Sequence, residues 1–316
     1  MRPRQLIPAA VVTAAAVHLL ERSALRRWAL QPDPRGHSAP LSAREPDTQV
    51  VATDGARLRV ARWGTGTGTN PSVVLVHGIT ASLEDWLPLV PHLLEAGWSV
   101  TALDLRGHGQ STLGSARVST RRLADDLVAV LESLDVRGAV LVGHSLGGYA
   151  ALGLAVHHPE VVQQRVVRLV LVGSTPTMRG AAELTALASA ASPLSVAMQR
   201  HPRHGAVLMR VQVFGDSPSL PAIEDVRRRW SSCPLTTRVA YAQGLAGQTL
   251  TPMLTRVRVP VAVVRGTRDR VARASRSRLL HAALPQSELV MIEGAGHAIP
   301  TERPRDLTAV LTRPAG

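Results

Sequence analysis

The stretch at residues 140–158 constrains the fold more than any other part of the chain. It reads VLVGHSLGGYAALGLAVHH, an apolar run, then a turn centred on Ser145, then an alanine- and leucine-rich continuation. This order predicts a strand, a sharp turn and a helix. We interpret Ser145 as a nucleophile and Gly143, His144 and Gly147 as the elbow around it, because a Cβ atom at either glycine would crowd the turn. A turn without chemical function is the alternative for so short a pattern.

Apolar runs alternate with helix-like stretches on both sides of this segment. The runs that resemble buried strands are residues 72–76, 100–103, 167–172, 261–264 and 289–292. The stretches of helical character are residues 84–97, 121–134, 274–284 and 307–311, the first of them interrupted by Pro88 and Pro91. Such alternation predicts an α/β fold with a mostly parallel, doubly wound sheet. The turn signal Asp54-Gly55 predicts an antiparallel hairpin before it.

The alternation stops between residues 176 and 256, which predicts a domain boundary. This stretch contains short helix-like segments separated by prolines, and we interpret it as a helical cap or lid inserted into an α/β core at 48–175 and 257–316. Within the insertion, Arg227-Arg228-Arg229 could recognise an anionic substrate, but a solvated surface is the favoured interpretation. Residues 31–47 contain four prolines and are predicted to be a linker.

The first 30 residues are predicted to form a separate apolar helix. Residues 6–20 are apolar except for Thr13 and His18, and Arg22, Arg26 and Arg27 follow closely. The run is shorter than the roughly 20 residues that a spanning helix needs. We therefore expect peripheral association with the protein or with a membrane surface through residues 6–20, in the cytoplasm or on the cytoplasmic side of a membrane. A secretory signal peptide is the alternative.

The composition narrows the classes of partner. The net charge is +13 and all 36 basic residues are arginine, but these are spread along the chain and no nucleic-acid motif accompanies them. Aromatic residues make up only 3% of the chain, which argues against binding by base stacking. Cys233 is the single cysteine and rules out an intrachain disulfide. We expect no nucleic acid, metal or cofactor, and the oligomeric state stays open.

Candidate catalytic groups follow the ends of the predicted strands. Ligands of parallel α/β sheets bind beyond the carboxyl ends of the strands. Ser145 would be the nucleophile, His297 the base that takes its proton, and Asp269 the group that orients the base. The backbone amides of Ile79 and Leu146 would receive the developing oxyanion. Asp269 could instead form a surface ion pair, and His297 could be a loop histidine without chemistry.

Several separated motifs resemble the α/β-hydrolase superfamily. They are His77-Gly78, the loop at residues 104–111 (DLRGHGQS), the turn at residues 143–148, Gly266-Thr267-Arg268-Asp269 and Gly294-Ala295-Gly296-His297. The resemblance runs from about residue 48 to the C-terminus. It implies a Ser145–Asp269–His297 triad, an oxyanion hole at Ile79 and Leu146, and structural roles for His77 and His108. A serine nucleophile argues against the haloalkane dehalogenases and epoxide hydrolases of this fold.

The expected activity is hydrolysis of a carboxylic ester, or of a related small acyl substrate, through an acyl-enzyme. The same triad could serve C–C bond hydrolysis, perhydrolysis, acyl transfer or peptide hydrolysis, because the insertion would set that choice. A ligand-binding protein without turnover is the alternative of a different class.

Overall fold

The computed structural model describes residues 20–33, 47–64, 72–216 and 218–313. The strands in these ranges are β1 (Thr48–Val51), β2 (Arg57–Trp63), β3 (Ser72–Val76), β4 (Ser99–Leu103), β5 (Ala139–His144), β6 (Val166–Val172), β7 (Val261–Gly266) and β8 (Ser287–Ile292). They form one sheet in the order β1-β2-β4-β3-β5-β6-β7-β8. β1 and β2 are antiparallel to their neighbours, and the strands from β4 to β8 pair in parallel.

Helices cover both faces of the sheet and fill the connection between β6 and β7. The first helix, α1, comprises residues 20–29. The others are α2 (Val90–Glu95), α3 (Thr120–Ser133), α4 (Leu146–His157), α5 (Pro159–Arg165), α6 (Ala181–Ala190), α7 (Pro193–Arg200), α8 (Pro202–Val213), α9 (Leu220–Ser232), α10 (Leu235–Leu245), α11 (Ala274–Ala283), α12 (Ile299–Glu302) and α13 (Pro304–Leu311). Two 3₁₀ helices occupy Leu83–Trp86 and Thr251–Arg256.

The core has two layers, one on each side of the sheet. Alternate strand residues enter opposite layers, as the period of a strand requires. Val74 and Leu141 pack with the helices α3 and α4 on one face. Val73 and Val142 pack on the other face, with Leu93 of α2 and other buried apolar side chains. Apolar side chains on both faces of a strand produce the continuous apolar runs of the sequence. The predicted doubly wound α/β fold with an N-terminal antiparallel hairpin is confirmed.

The predicted helix at residues 84–97 is wrong in its extent. The chain forms the 3₁₀ helix Leu83–Trp86, a short irregular link, and then α2 from Val90. Pro88 lies in that link, where its missing N–H breaks no helical hydrogen bond. Pro91 lies in the first turn of α2, a position that tolerates proline because that N–H has no intrahelical acceptor.

The segment between β6 and β7 is helical, and α6 to α10 all lie within its described residues. A small core of its own joins α8 and α9 around Phe214 and Ile223. Leu25 and Trp28 of α1 pack against the same cluster. No helix within the described ranges has the length and hydropathy needed to cross a bilayer. Residues 6–19, and residues 34–46 of the predicted linker, lie outside the described part of the chain.

The arginine run on α9 differs from the solvated surface that the sequence suggested. Arg227 is buried, and its guanidinium bonds Glu224 and the carbonyls of Gln199 and Arg200. The Arg229 guanidinium lies 2.5 Å from Asp85. Arg228 alone is well exposed. A run of identical side chains on a helix necessarily faces different directions, so part of it enters the core.

Candidate active site

Ser145 occupies a strained turn between β5 and α4. Its φ of 52° and ψ of −113° lie outside the regions that non-glycine residues favour. A Cβ at Gly143 would lie 2.3 Å from the Gly148 amide nitrogen, and a Cβ at Gly147 would lie 2.1 Å from the Val76 carbonyl oxygen. Only glycine fits at both positions, as the sequence predicted. The turn places Ser145 at the carboxyl end of the central strand β5.

His297 and Asp269 form a buried pair beyond the ends of β8 and β7. The His297 Nδ1–H donates to Asp269 Oδ2 at 2.9 Å. Asp269 Oδ1 accepts the N–H groups of Val271 and Ala272, both at 2.8 Å. Burial by itself would raise the pKa of Asp269, but the charge and hydrogen bond of His297 and these two amides lower it overall. The carboxylate is therefore held ionised and in one orientation, and the surface ion-pair interpretation is wrong because Asp269 is buried.

Ser145 and His297 meet in one cavity of about 120 Å³. Asp269 is hydrogen bonded to His297 Nδ1, and His297 Nε2 has no hydrogen-bond partner among the described residues. No hydrogen bond joins Ser145 to the His297 ring in the described ranges, and catalytic pairs are often longer without substrate. The structure thus brings the three predicted side chains to one rim of the sheet.

The two predicted oxyanion amides line the same cavity. Ile79 follows β3 and Leu146 is the first residue of α4. Neither amide N–H has a hydrogen-bond acceptor among the described residues, so both are available to a ligand. Leu146 N–H belongs to the first turn of α4, where the helix dipole also favours negative charge.

Two buried histidines fix the loop that carries Ile79. The Thr80 N–H donates to His108 Nε2 at 3.1 Å, while His108 Nδ1–H donates to the Arg106 carbonyl at 3.1 Å. The Leu105 N–H donates to His77 Nε2 at 2.9 Å. Thr80 has a φ of 62°, an uncommon conformation that the His108 contact helps to hold. His77 and His108 therefore support the loop that carries Ile79, a structural role that agrees with the resemblance.

His144 and the insertion hold the loop of His297. The His144 Nε2–H donates to the His297 carbonyl at 2.8 Å. The His297 N–H donates to the Val213 carbonyl at 2.6 Å, where α8 ends. Glu302 accepts the N–H groups of Gly215 and Gly296. The insertion consequently supports the loop that carries His297 and also lines the cavity beside it.

Burial of His108 predicts a measurable acid sensitivity of the fold. Loss of hydration, with the nearby His77, lowers the pKa of His108 to about 3. In the unfolded chain the His108 side chain has its ordinary pKa of about 6.5 and takes up a proton below that pH, whereas the folded chain keeps it neutral. The contribution of neutral His108 to the unfolding free energy is therefore complete above about pH 6.5 and is lost as the pH falls below it. Between about pH 7.5 and about pH 5, wild type should lose about 2 kcal/mol more unfolding free energy than His108→Gln. Urea unfolding at both pH values measures this, and equal losses would contradict it.

The cavity wall includes residues that sequence reasoning did not identify. Met178 and Leu187 come from the insertion, and Val271 and Arg273 follow Asp269. Their residue types carry no motif, so only the chain path reveals them. Gly173 lines the wall at the end of β6, and its position at a strand end was the one available signal. Within the described ranges, no group of three or more His, Cys, Asp or Glu is arranged to hold a metal ion.

Comparisons with known proteins identify the family and the fold of the chain. A family model described as the alpha/beta hydrolase fold matches residues 71–200. The chain is 30% identical over 249 residues to an uncharacterized protein of Mycobacterium tuberculosis, covering 73% of this chain and 71% of that one. It is 30% identical over 238 residues to a non-heme chloroperoxidase of Streptomyces lividans, covering 70% and 82%. An esterase from Exiguobacterium antarcticum superposes with a TM-score of 0.74 at 22% identity, covering 84% and 98%.

Proposed function

Because the chain belongs to the α/β-hydrolase superfamily, we propose that it is a serine hydrolase that cleaves a carboxylic ester through an acyl-enzyme. One observation carries the proposal. The strained Ser145 shares its cavity with His297, and His297 is hydrogen bonded to the buried Asp269. A nucleophile, a base and an orienting carboxylate in this relation can activate an alcohol.

Acylation would proceed from the Ser145 hydroxyl. Its Oγ attacks the ester carbonyl carbon while His297 Nε2 takes the proton. The carbonyl oxygen becomes an oxyanion near the Ile79 and Leu146 amides, which line the cavity beside the serine. Collapse of this intermediate breaks the bond to the alcohol, and the leaving oxygen takes the proton from His297. The products of this half-reaction are an alcohol and an acyl-Ser145 ester.

Deacylation would repeat these steps with water. His297 removes a proton from water, the oxygen attacks the acyl carbon, and Ser145 leaves with that proton. The Nδ1–H bond to Asp269 stabilises the imidazolium that forms in each half. Because the carboxylate keeps its charge, no proton transfer to Asp269 is required.

The cavity favours a small, mainly apolar acyl group. Ile79, Met178, Leu187, Val271 and Ala272 supply its apolar walls. Arg273 and Arg276 also line it, from the loop after β7 and the first turns of α11. Short esters should therefore be better substrates than long ones.

Hydrolysis of p-nitrophenyl esters tests the proposal directly. We expect turnover of the acetate and butyrate esters, with a lower kcat/KM for the octanoate. A fluorophosphonate should add to Ser145, as located by mass spectrometry of the peptide, and should stop turnover. No turnover of any ester together with no adduct would refute the proposal and favour a ligand-binding protein.

A second candidate, perhydrolysis, is favoured by the chloroperoxidase relative. Hydrogen peroxide would replace water as the acceptor of the acyl group, which yields a peracid and free Ser145. Peracid formation from acetate esters and peroxide, measured by halide oxidation, separates the two reactions. A rate well below that of hydrolysis in the presence of peroxide would exclude perhydrolysis as the main activity.

A further inference from the structure

The helix α7 turns an apolar stripe toward solvent. Leu194, Ala197 and Met198 are spaced as neighbours on one helical face, and all three are exposed. Leu194 is 70% exposed and Met198 is 45% exposed. The polar Ser195 and Gln199 are half-buried on the inner side. Val196 is buried on the inner side, so α7 carries apolar side chains on its outer side in addition to the inward-facing one that an ordinary surface helix has.

A surface hollow widens this stripe. It has a volume of about 440 Å³, and Pro193, Ala197, Arg200 and Leu235 are among the residues that line it. Leu235, at the start of α10, is itself exposed. We call the set Pro193, Leu194, Ala197, Met198 and Leu235 the α7 face. A contiguous exposed apolar surface of this kind indicates an interaction site.

The surroundings of the α7 face are cationic. Residues 184–214 contain no aspartate or glutamate, while Arg200 and Arg203 are exposed near the α7–α8 corner. The outer side of α1 adds the exposed Arg22, Arg26 and Arg27. An apolar surface with arginines beside it complements an anionic lipid bilayer, which attracts the charges and accepts the apolar side chains.

The position of α1 connects this corner to the apolar N-terminal sequence. Glu21 lies 3.4 Å from His204 in the first turn of α8, and Trp28 lies beneath the Arg210 guanidinium at 5.9 Å. The two helices therefore run side by side in the same direction, so α1 starts at the α7–α8 corner. Residues 6–19, which are apolar except for Thr13 and His18, directly precede α1 in the sequence.

We propose that the α7 face, together with the arginines of α1, is a docking surface for an anionic membrane. The apolar side chains of the face enter the boundary between headgroups and acyl chains, and the arginines contact the lipid phosphates. Docking does not depend on the catalytic proposal, since it uses none of the cavity side chains. A protein partner or a second copy of the chain would bind the same face without regard to lipid charge.

Sedimentation with vesicles tests this surface in the full-length protein. We expect wild type to bind vesicles of phosphatidylcholine mixed with phosphatidylglycerol, to bind pure phosphatidylcholine weakly, and to dissociate as salt rises. The pair Leu194→Gln and Met198→Gln should lower the partition coefficient by at least about tenfold. Arg22→Gln and Arg26→Gln should lower it by about fivefold each. The matched control is Val167→Gln, because Val167 is 50% exposed at the amino end of β6, away from the insertion.

A fluorescent label distinguishes contact by the face from anchoring by residues 6–20 alone. Met198→Cys carries an environment-sensitive dye, and Val167→Cys is the control. Burial raises the pKa of the Cys233 thiol to about 11, so native Cys233 resists labelling. Anionic vesicles should shift the emission of the dye at position 198 to the blue and leave that at position 167 unchanged. The proposal would be overturned if wild type did not bind anionic vesicles, or if the Leu194→Gln/Met198→Gln variant bound them like wild type. It would also be overturned if the dye at position 198 showed no emission shift, or if the protein self-associated through this face as its concentration rose.

Discussion

Ser145→Ala is expected to lower kcat/KM for ester hydrolysis by about 10⁶-fold, leaving only the residual catalysis that the oxyanion amides and substrate binding supply. The substitution removes the attacking oxygen and leaves nothing for His297 to deprotonate. The fold should tolerate it, because Ser145 N–H donates to the Val172 carbonyl at 2.7 Å and that backbone bond is independent of the side chain. Steady-state kinetics with p-nitrophenyl butyrate measure the loss.

The matched control for this experiment is Ser133→Ala. Ser133 is exposed at the end of α3 and touches neither the cavity nor its loops. Its kcat/KM should stay within about twofold of wild type, since surface substitutions away from special features usually change little. If Ser145→Ala retained more than about one part in a thousand of the activity, another nucleophile would be doing the chemistry, and the proposal would fail.

The fold and the candidate triad could be predicted because each depends on local patterns. Continuous apolar runs identified β3, β5 and β7, since strands buried on both faces carry apolar side chains at every position. Parallel strands then bring their carboxyl ends to one rim, which placed Ser145 and His297 together without any knowledge of contacts. The requirement for glycine at positions 143 and 147 could also be predicted, because the turn has no space for a Cβ atom at either position.

Contacts between distant segments could not be predicted from local patterns. Arg227 looked like a surface residue, yet carbonyls of α7 and the side chain of Glu224 enclose it. The support of His297 by Val213 joins residues 84 positions apart, and a backbone carbonyl leaves no trace in residue type. The bond from Thr80 to His108 depends on a single backbone N–H in an unusual conformation. Such details follow from tertiary packing, which no periodicity encodes.

Asp269→Asn is expected to lower kcat by about 10⁴-fold while leaving the fold intact. Asp269 Oδ1 accepts hydrogen bonds from the backbone N–H groups of Val271 and Ala272. In the variant these donors require the oxygen of the asparagine amide, so its NH₂ group must face His297 Nδ1. That nitrogen would then have to accept a hydrogen bond, and the ring proton would move to Nε2. A base whose Nε2 carries the proton cannot take one from Ser145.

The control for this prediction is Asp135→Asn, a chemically identical change at an exposed site. Asp135 has a φ of 42°, a conformation that asparagine adopts readily, and it follows α3 far from the cavity. Its kcat should match that of wild type. Nuclear magnetic resonance of the imidazole nitrogens would report the tautomer directly, with the proton on Nδ1 in wild type and on Nε2 in Asp269→Asn. A variant that kept wild-type kcat, or kept the Nδ1 proton, would show that Asp269 does not orient His297, and the base would need a different partner.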